Sequence, residues 1–456
     1  MNDIQIRIPR NLVHPLLEGI HRPGQREPVV FGFVSHARTL TRDLILLRRL
    51  EIPPESAFLP SGRHGSRWSG AYMIDLLNRA LQLQLGLFIF HAHPTQRPTE
   101  MSDDDLASAG DLLPRFQLIQ PQRPHGSVVF GDQSVAGTVL MPDADDPVDR
   151  FSLRIIQDHE IRTWPLPEAP EAEYRLFTRQ ALTDNPLLRR LLKDTVVAVV
   201  GLSGGGSQVI PHLAALGIGE IIAIDDQRAD QSNRLATPNL GWIDAFFRIH
   251  KVTAAKLRSW LINRKVKYTG IKARVPESQA REALKRADII IGCVNNLHAR
   301  SDLNEIAWRY CIPFVDIGLR LITDEHVLED PRPLSGIHGN KFKAIPGGPC
   351  LWCTEFLTDS KLALETGGRG RSYLQDANNR DAFVAPFNGT LASEAAAEVL
   401  RLIAGISYCQ ELRHQYDGLT SNLLELSVAR NPSCPLCNDV LAAGDPIWRP
   451  ICSTKE

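Results

Sequence analysis

Residues 196–225 read VVAVVGLSGGGSQVIPHLAALGIGEIIAID, and this stretch decides the fold of the C-terminal part of the chain. A continuous apolar run, VVAVVG, leads through a glycine-rich turn into a helical segment and then into a second apolar run, EIIAID. Further along, helical and apolar segments keep alternating through VTAAKLRSWLINR, ADIIIGCV and PFVDIG. Near-continuous apolar strands that alternate with helices predict a parallel sheet covered on both faces.

Composition limits the classes to which the protein can belong. Its 456 residues exceed one ordinary core, so we expect at least two α/β domains. A formal net charge of -1 provides no basic field for binding nucleic acid or an anionic membrane. The chain has neither an apolar run of about 18 residues nor a signal-peptide pattern, so we expect a cytoplasmic protein without a membrane segment.

A change in composition suggests the domain boundary. The segment WPLPEAPEAEY at residues 164–174 is rich in proline and glutamate and predicts a linker. We therefore divide the chain into an N-terminal domain at 1–165, a linker with a leading helix at 166–190, and a C-terminal domain at 191–456. Within the N-terminal domain, 29–35 and 86–91 are predicted strands and 68–83 a predicted helix.

The segment FIFHAHPTQRPTEMSDDD at residues 88–105 carries candidate metal ligands. His91 and His93 are two residues apart on a predicted strand, so both imidazoles point to the same face. Ser102 begins a predicted helix whose first turn contains Asp105. Two imidazoles and one carboxylate suit zinc with a fourth position open to water. A His-x-His pair alone is more often incidental, and Ser102 alone can be only a helix cap.

The complete spacing, HxHP followed by seven residues and SxxD, resembles the motif of the JAMM (MPN+) zinc metallopeptidases, a family of isopeptidases. The resemblance implies a cytidine-deaminase-like α/β domain with a catalytic zinc. It also implies a glutamate as general base, for which Glu27 is the candidate and Glu51 and Glu55 are alternatives. Ser102 would then stabilise the oxyanion of the intermediate.

The glycine-rich turn is a candidate nucleotide site. Gly201, Gly204 and Gly206 allow the backbone to approach a phosphate at the start of the following helix. Asp225 ends the second strand, where a carboxylate can bind ribose hydroxyls. These features alone fit a dinucleotide dehydrogenase equally well.

Asn233 follows eight residues after Asp225, and Lys251 opens a helix. With these residues, the C-terminal domain, in a stretch that continues through residue 437, resembles the adenylating domains of ThiF and ubiquitin-activating enzymes, which have a Rossmann-like fold. The resemblance implies that ATP activates the C-terminal glycine of a ubiquitin-like protein. Asp225 would hold the ribose, and Asn233, Arg234 and Lys251 would neutralise the phosphates. A homodimer is also implied.

Two positions depart from the family pattern. Arg234 directly follows Asn233, whereas the family arginine usually comes three residues after the asparagine. Asn295 stands where the family has an acidic ligand for Mg²⁺, and asparagine is a poorer ligand than a carboxylate. Asp226 or Asp316 can replace it, or the domain binds nucleotide with little turnover and regulates the peptidase.

Two CxxC pairs predict a second zinc site of a structural kind. Four thiolates close a tetrahedral shell and leave no open position for catalysis. The predicted ligands are Cys350, Cys353, Cys434 and Cys437.

A cysteine that could accept the activated acyl group is missing where ubiquitin-activating enzymes carry one, because residues 354–408 contain no cysteine. Cys409 lies in an apolar segment, Cys293 ends a predicted strand, and Cys452 is in the tail. We therefore expect a separate conjugating enzyme or thiol acceptor. Fusions of this kind belong to bacterial ubiquitin-like conjugation systems, some of them antiphage. The alternative is activation and maturation of a sulfur carrier for cofactor biosynthesis.

Overall fold

A computed structural model describes residues 2–22, 28–59, 67–93, 98–142, 144–166, 185–323, 334–367, 384–406 and 412–445. We refer to residues 2–166 as the N-terminal region and to residues 185–445 as the C-terminal region. Most of the predicted linker, at 167–184, lies outside the described residues, and the domain boundaries stay a prediction. Within the described part of the chain, no helix is long and apolar enough to cross a membrane.

The N-terminal region contains ten strands, three α-helices and one short 3-10 helix, Glu55–Ala57, among its described residues. The strands are β1 Asp3–Ile8, β2 Val30–Arg38, β3 Arg42–Glu51, β4 Phe58–Leu59, β5 Arg67–Trp68, β6 Gly86–Ala92, β7 His125–Phe130, β8 Val135–Leu140, β9 Ser152–Ile156 and β10 Ile161–Trp164. The helices are α1 Arg10–Ile20, α2 Gly70–Leu83 and α3 Asp103–Ile119. The two predicted strands and the predicted helix are confirmed, with slightly shifted ends.

Eight of these strands form one mixed sheet in the order β10-β9-β1-β3-β2-β6-β7-β8. Apolar side chains on one face, including Ile6, Val34 and Phe90, form a core that also includes Val13 and Leu16 of α1. On the other face, α2 and α3 cover the part of the sheet around β2 and β6. The alternation of side chains along each strand therefore fills two separate cores.

The C-terminal region contains eight strands and eight helices among its described residues. The strands are β11 Val196–Val200, β12 Glu220–Ile224, β13 Lys267–Ile271, β14 Ile289–Gly292, β15 Phe314–Thr323, β16 Leu334–Ala344, β17 Arg413–Asp417 and β18 Asn422–Leu426. The helices are α4 Pro186–Lys193, α5 Gly206–Leu216, α6 Trp242–Phe246, α7 Lys251–Ile262, α8 Ser278–Lys285, α9 Leu297–Arg309, α10 Asp359–Gly367 and α11 Ala385–Ala404.

Its sheet has the order β13-β12-β11-β14-β15-β16-β17-β18. The first five strands are parallel, as predicted, but the pairs from β15 to β18 are antiparallel. The sheet is therefore mixed rather than mainly parallel. Only residues 418–421 join β17 to β18, and a parallel crossover takes about a dozen residues or more, so this pair must be antiparallel. β12 and β13 lie on one side of β11, whereas β14 and β15 lie on the other, so the strand order switches between β11 and β14. Nucleotide sites of such folds form at this switch point.

The two regions share a hydrophobic core. Ala37, Leu44 and Leu46 of the N-terminal sheet belong to the same buried cluster as the strands of the C-terminal sheet. Backbone hydrogen bonds cross the boundary as well, from the N–H of Arg10 to the carbonyl of Pro346 at 3.0 Å. The uncovered part of the N-terminal sheet thus packs directly on the C-terminal region.

Candidate functional site

The glycine-rich turn between β11 and α5 forms one wall of a cavity of about 510 Å³. Gly201 has a φ of +87°, which a residue with a side chain rarely adopts. A Cβ atom on Gly206 would collide with the carbonyl oxygen of Gly201. The two glycines therefore let the turn fold tightly enough to begin a helix beside the cavity, where free N–H groups favour an anion.

The other walls come from the carboxyl ends of β12, β14 and β15 and from α9 and α11. The polar lining residues are Ser203, Asp225, Asp226, Gln227, Arg274, Asn295, Asn296, His298, Arg300, Asp302 and Asn388. The volume is in the range of small-molecule sites, about 300–1,000 Å³. Of the predicted nucleotide residues, Gly201, Gly204, Asp225 and Asn295 line it directly.

Asp225 fixes the turn from the end of β12. One carboxylate oxygen accepts the N–H of Leu202 at 2.7 Å, and the other accepts the N–H of Gln227 at 2.8 Å. Burial raises the pKa of Asp225, and the nearby Lys251 opposes that shift. Since a carboxylate can accept further hydrogen bonds, these contacts leave Asp225 able to bind ribose hydroxyls.

Lys251 begins α7 and is only 2% exposed. Its ammonium group donates to the Ser203 hydroxyl at 2.7 Å and to Oε1 of Gln227 at 2.7 Å. Both partners line the cavity. The predicted cation therefore lies directly behind the cavity wall, next to the glycine-rich turn.

Asn233 and Arg234 lie in the segment that follows β12. The Asn233 side chain donates to Oδ2 of Asp230 at 2.9 Å and accepts the N–H of the same residue at 3.2 Å. Neither Asn233 nor Arg234 is among the described residues that line the cavity. Their phosphate-binding roles stay predictions.

Both candidate substitutes for the acidic residue missing at Asn295 form ion pairs with arginines. Asp316 is 2% exposed and forms an ion pair with Arg300, and Asp226 pairs with Arg274 at 2.5 Å. Asp302 of α9 lines the same cavity, and burial, with a smaller contribution from Glu305, raises its pKa to about 7.

Sequence reasoning missed Asp302, Gln227 and Arg274. Asp302 lies four residues after His298 on α9, and both line the cavity, so helical spacing places them on the same face. Gln227 and Arg274 carry no comparable signal.

The four cysteines of the CxxC pairs come together as predicted. The Sγ atoms of Cys350 and Cys434 are 3.6 Å apart, as are those of Cys353 and Cys437, and Cys350 and Cys353 are 3.8 Å apart. Tetrahedral zinc with bonds of about 2.3 Å places its sulfur ligands about 3.8 Å from one another. The cluster therefore has the donor set and the spacing of a structural zinc site.

Comparison with known proteins identifies the C-terminal region. Residues 177–436 match the model of the ThiF family. The chain belongs to the ThiF family. The sulfur carrier protein ThiS adenylyltransferase of Escherichia coli is 23% identical over 269 residues, which cover 59% of this chain and 96% of that protein.

The chain is similar to two further proteins. The SAMP-activating enzyme E1 of Haloferax volcanii is 25% identical over 303 residues, covering 64% of this chain and 89% of that protein. A crystal structure of Escherichia coli MccB has a TM-score of 0.47 and 19% identity, covering 62% of this chain and 76% of that chain.

Outside the ThiF match, the predicted ligands His91, His93 and Asp105 lie together where β6 ends and α3 begins. Nε2 of His91 is 3.0 Å from Oδ1 of Asp105, and Nε2 of His93 is 3.5 Å from Oδ2. His91 is buried, and its Nε2 faces the Asp105 carboxylate directly. The ligand atoms lie within 4.8 Å of one another, an arrangement that suits a metal ion.

The structure describes only some of the residues predicted to act beside this cluster. The Ser102 hydroxyl donates to Oδ2 of Asp105 at 2.7 Å and accepts the Asp105 N–H at 3.1 Å, so Ser102 caps α3. Its oxyanion role stays a prediction. Glu27 lies outside the described residues. Glu51 is held by Arg79 and by the Tyr72 hydroxyl at 2.8 Å, and Glu55 is exposed.

Proposed function

We propose that this ThiF-family protein uses ATP to adenylate the C-terminal glycine of a ubiquitin-like or sulfur-carrier protein. The observation that carries the proposal is the contact of Lys251 with Ser203 and Gln227 beside the glycine-rich turn. It places a buried cation behind a cavity of nucleotide size within a ThiF-family region. Relatives named as sulfur carrier protein adenylyltransferases support the same reaction.

The cavity residues have separate tasks in this reaction. The N–H groups at the start of α5 bind phosphate oxygens, and Asp225 accepts hydrogen bonds from the ribose. The glycine carboxylate of the substrate displaces pyrophosphate from the α-phosphorus of ATP and forms an acyl adenylate. Lys251 stabilises negative charge that builds on the phosphates, because a fixed cation in a partly dry site acts strongly.

Mg²⁺ would bind near Asn295. The amide oxygen of Asn295 and the carboxylate of Asp302 are oxygen donors in the same cavity, and this donor set fits a hard cation. When bound, Mg²⁺ shields the charge of the phosphates. Asp302 would provide the carboxylate that position 295 lacks.

The acyl group would pass to a separate thiol or amine. Cys293 lines the nucleotide cavity, but burial raises the pKa of its thiol strongly, so it stays protonated. Cys409, which the sequence places in an apolar segment, lies outside the described residues. A conjugating enzyme or a sulfurtransferase is therefore the expected partner, and the identity of the carrier decides between conjugation and sulfur transfer.

Calorimetry with ATP, in the presence and absence of Mg²⁺, tests the adenylation proposal. The variant Lys251→Ala removes the buried ammonium, and Lys256→Ala removes an exposed ammonium from the same helix as a control. We expect micromolar binding that Lys251→Ala abolishes and Lys256→Ala retains, followed by carrier-dependent pyrophosphate exchange. ATP binding that is equal in all three proteins would refute the proposal.

We propose, as a second activity, that the N-terminal region is a zinc hydrolase for peptide or isopeptide bonds at the tail of the same carrier. The observation in favour is the convergence of His91, His93 and Asp105, whose ligand atoms all lie within 4.8 Å of one another. Bound zinc would supply an acidified water. Glu27 is the proposed base, and Ser102 the proposed oxyanion donor.

Cleavage of a ubiquitin-like protein that carries a C-terminal extension tests the hydrolase. We expect cleavage by the wild type and by Lys251→Ala, and loss of cleavage in Glu27→Gln with zinc still bound. Cleavage that survives both Glu27→Gln and Asp105→Asn would show that another site is responsible.

A further inference from the structure

A second, larger cavity of about 960 Å³ lies between the N-terminal sheet and the start of the C-terminal sheet. Its walls include β1, β9 and β10 on one side and the ends of α4 and α11 on the other. Parallel pairing of β1 with β3 and β9 turns the side chains of Arg7, Arg42 and Arg154 toward the same face. All three approach Asp288, the residue that precedes β14.

These four residues form a buried cluster with an excess of positive charge. Oδ1 of Asp288 is 2.5 Å from Arg154, 2.7 Å from Arg42 and 3.6 Å from Arg7. The side chains of Asp288, Arg7, Arg154 and Arg42 are 1%, 2%, 12% and 18% exposed. Three guanidinium groups thus share one carboxylate, and solvent screens such buried charges poorly.

Other acidic residues act on the arginines only from a greater distance. Asp3, exposed at the rim of the cavity, adds to the larger effect of Asp288 in raising the pKa of Arg42. Asp194, which pairs with Arg190 at 2.8 Å, opposes the lowering of the pKa of Arg154. Among the described residues, Asp288 is therefore the one carboxylate in direct contact with the three guanidinium groups.

Arg7 and Arg154 differ in how their hydrogen-bond donors are satisfied. Arg7 donates to Gln5 at 2.8 Å and to the carbonyls of Tyr310 and Ala287 at 2.9 and 3.1 Å. By contrast, the buried Nε of Arg154 has no hydrogen-bond partner in the described part of the chain. Burial lowers the pKa of Arg154, which reflects the cost of keeping this group charged.

We propose that this cavity binds a phosphate-bearing small molecule, with Arg154 and Arg42 as its ligands. Guanidinium groups bind phosphate oxygens through paired hydrogen bonds, and a volume of this size accepts a pyrophosphate or a nucleotide. The site is separate from the nucleotide cavity. Asp288 accepts the N–H of Val196 at 2.9 Å at the start of β11, and the glycine-rich turn follows the other end of that strand. A ligand here would therefore connect the N-terminal region with the base of the adenylating sheet.

Pyrophosphate binding to the full chain tests the proposal, with Lys251→Ala as the background to weaken binding at the nucleotide site. We expect one bound pyrophosphate by calorimetry and a rise in melting temperature. Arg154→Gln and, independently, Arg42→Gln should each weaken binding about tenfold or more while keeping the circular dichroism spectrum. Arg115→Gln, which changes an exposed arginine of α3, should bind as the background does.

Absence of pyrophosphate binding at millimolar concentration would overturn the proposal. Equal binding in the background, Arg154→Gln and Arg42→Gln proteins would overturn it as well.

Discussion

The ammonium group of Lys251 lies 2.7 Å from the hydroxyl of Ser203, so the first residue of α7 is tied to the glycine-rich turn after β11. These residues are far apart in sequence but meet at the wall of the nucleotide cavity. The contact holds a charged side chain in place before any phosphate arrives, which lowers the entropy lost on binding.

The substitution Ser203→Ala should weaken ATP binding only modestly. Gln227 still accepts a hydrogen bond from the ammonium group, so about 1 kcal/mol, or roughly a fivefold change in Kd, is the expected loss. Calorimetry measures the change, and Ser203→Thr, which keeps the hydroxyl, serves as the matched control. A loss of more than about a hundredfold would mean that Ser203 contacts the nucleotide directly.

The substitution Asn295→Asp should strengthen divalent-cation binding in the presence of ATP by about tenfold, because a carboxylate is a better ligand than an amide. Titration with Mn²⁺ followed by electron paramagnetic resonance measures it. Asn296→Asp adds the same charge at the next position, where the side chain caps α9 through the Ala299 N–H at 2.7 Å. Equal strengthening in both variants would point to charge alone rather than to coordination at position 295.

The wild-type protein should contain two zinc ions per chain. His93→Ala should lose the zinc of the N-terminal region alone, because two ligands hold a metal much less tightly than three. Mass spectrometry of the metal content measures the stoichiometry, and His159→Ala, at an exposed histidine, is the control. Loss of both metals in His93→Ala would indicate a general folding defect.

The substitution Cys434→Ser should release the segment that follows the cysteine cluster. In this segment, the Ala442 N–H donates to the carbonyl of Trp308 at 3.0 Å and the Asp445 N–H donates to that of His36 at 2.9 Å. Because structural zinc contributes several kcal/mol to folding, we expect faster amide hydrogen exchange at both N–H groups. Ser433→Ala changes an exposed neighbour and should leave the exchange unchanged.

Stability should fall on acidification because of His125. This residue is 1% exposed, and its Nδ1 accepts the N–H of Leu87 at 3.2 Å while Nε2 lies 3.1 Å from the carbonyl of Gln120. Burial lowers the pKa of His125 to about 4, whereas its value in the unfolded chain is about 6.5. As the pH falls below 6.5, the unfolded chain takes up the proton first, and stability decreases until about pH 4.

The loss amounts to about 3 kcal/mol over this pH range. Urea unfolding at pH 7.5 and 4.5 measures it, and in His125→Gln the decrease should be smaller by about 2–3 kcal/mol. His14→Gln changes an exposed histidine and should behave like the wild type. An equal decrease in the wild type and in His125→Gln would assign the pH dependence to other groups.

The sequence was sufficient where one element or one short spacing carries the information. Apolar runs such as residues 196–200 predicted parallel strands, because a strand buried on both faces has no polar alternation. Likewise, the CxxC pairs and the His-x-His pair predicted ligand sets, since each pair is fixed by local backbone geometry. Asn233 and Arg234 show the limit, because neither is among the described residues that line the cavity and their phosphate-binding roles stay predictions.

By itself, then, the sequence determined the parallel strands and the helices between them, the glycine-rich turn and the metal-ligand pairs. Only the tertiary structure decided that Asp316 is bound by Arg300, that Asp302 lines the nucleotide cavity, and that three arginines share Asp288. The physical reason is the separation along the chain between the residues that interact. Local periodicity depends on residues a few positions apart, whereas strand order and the packing of one sheet on another set which distant charges meet, and nearby sequence does not encode that distance.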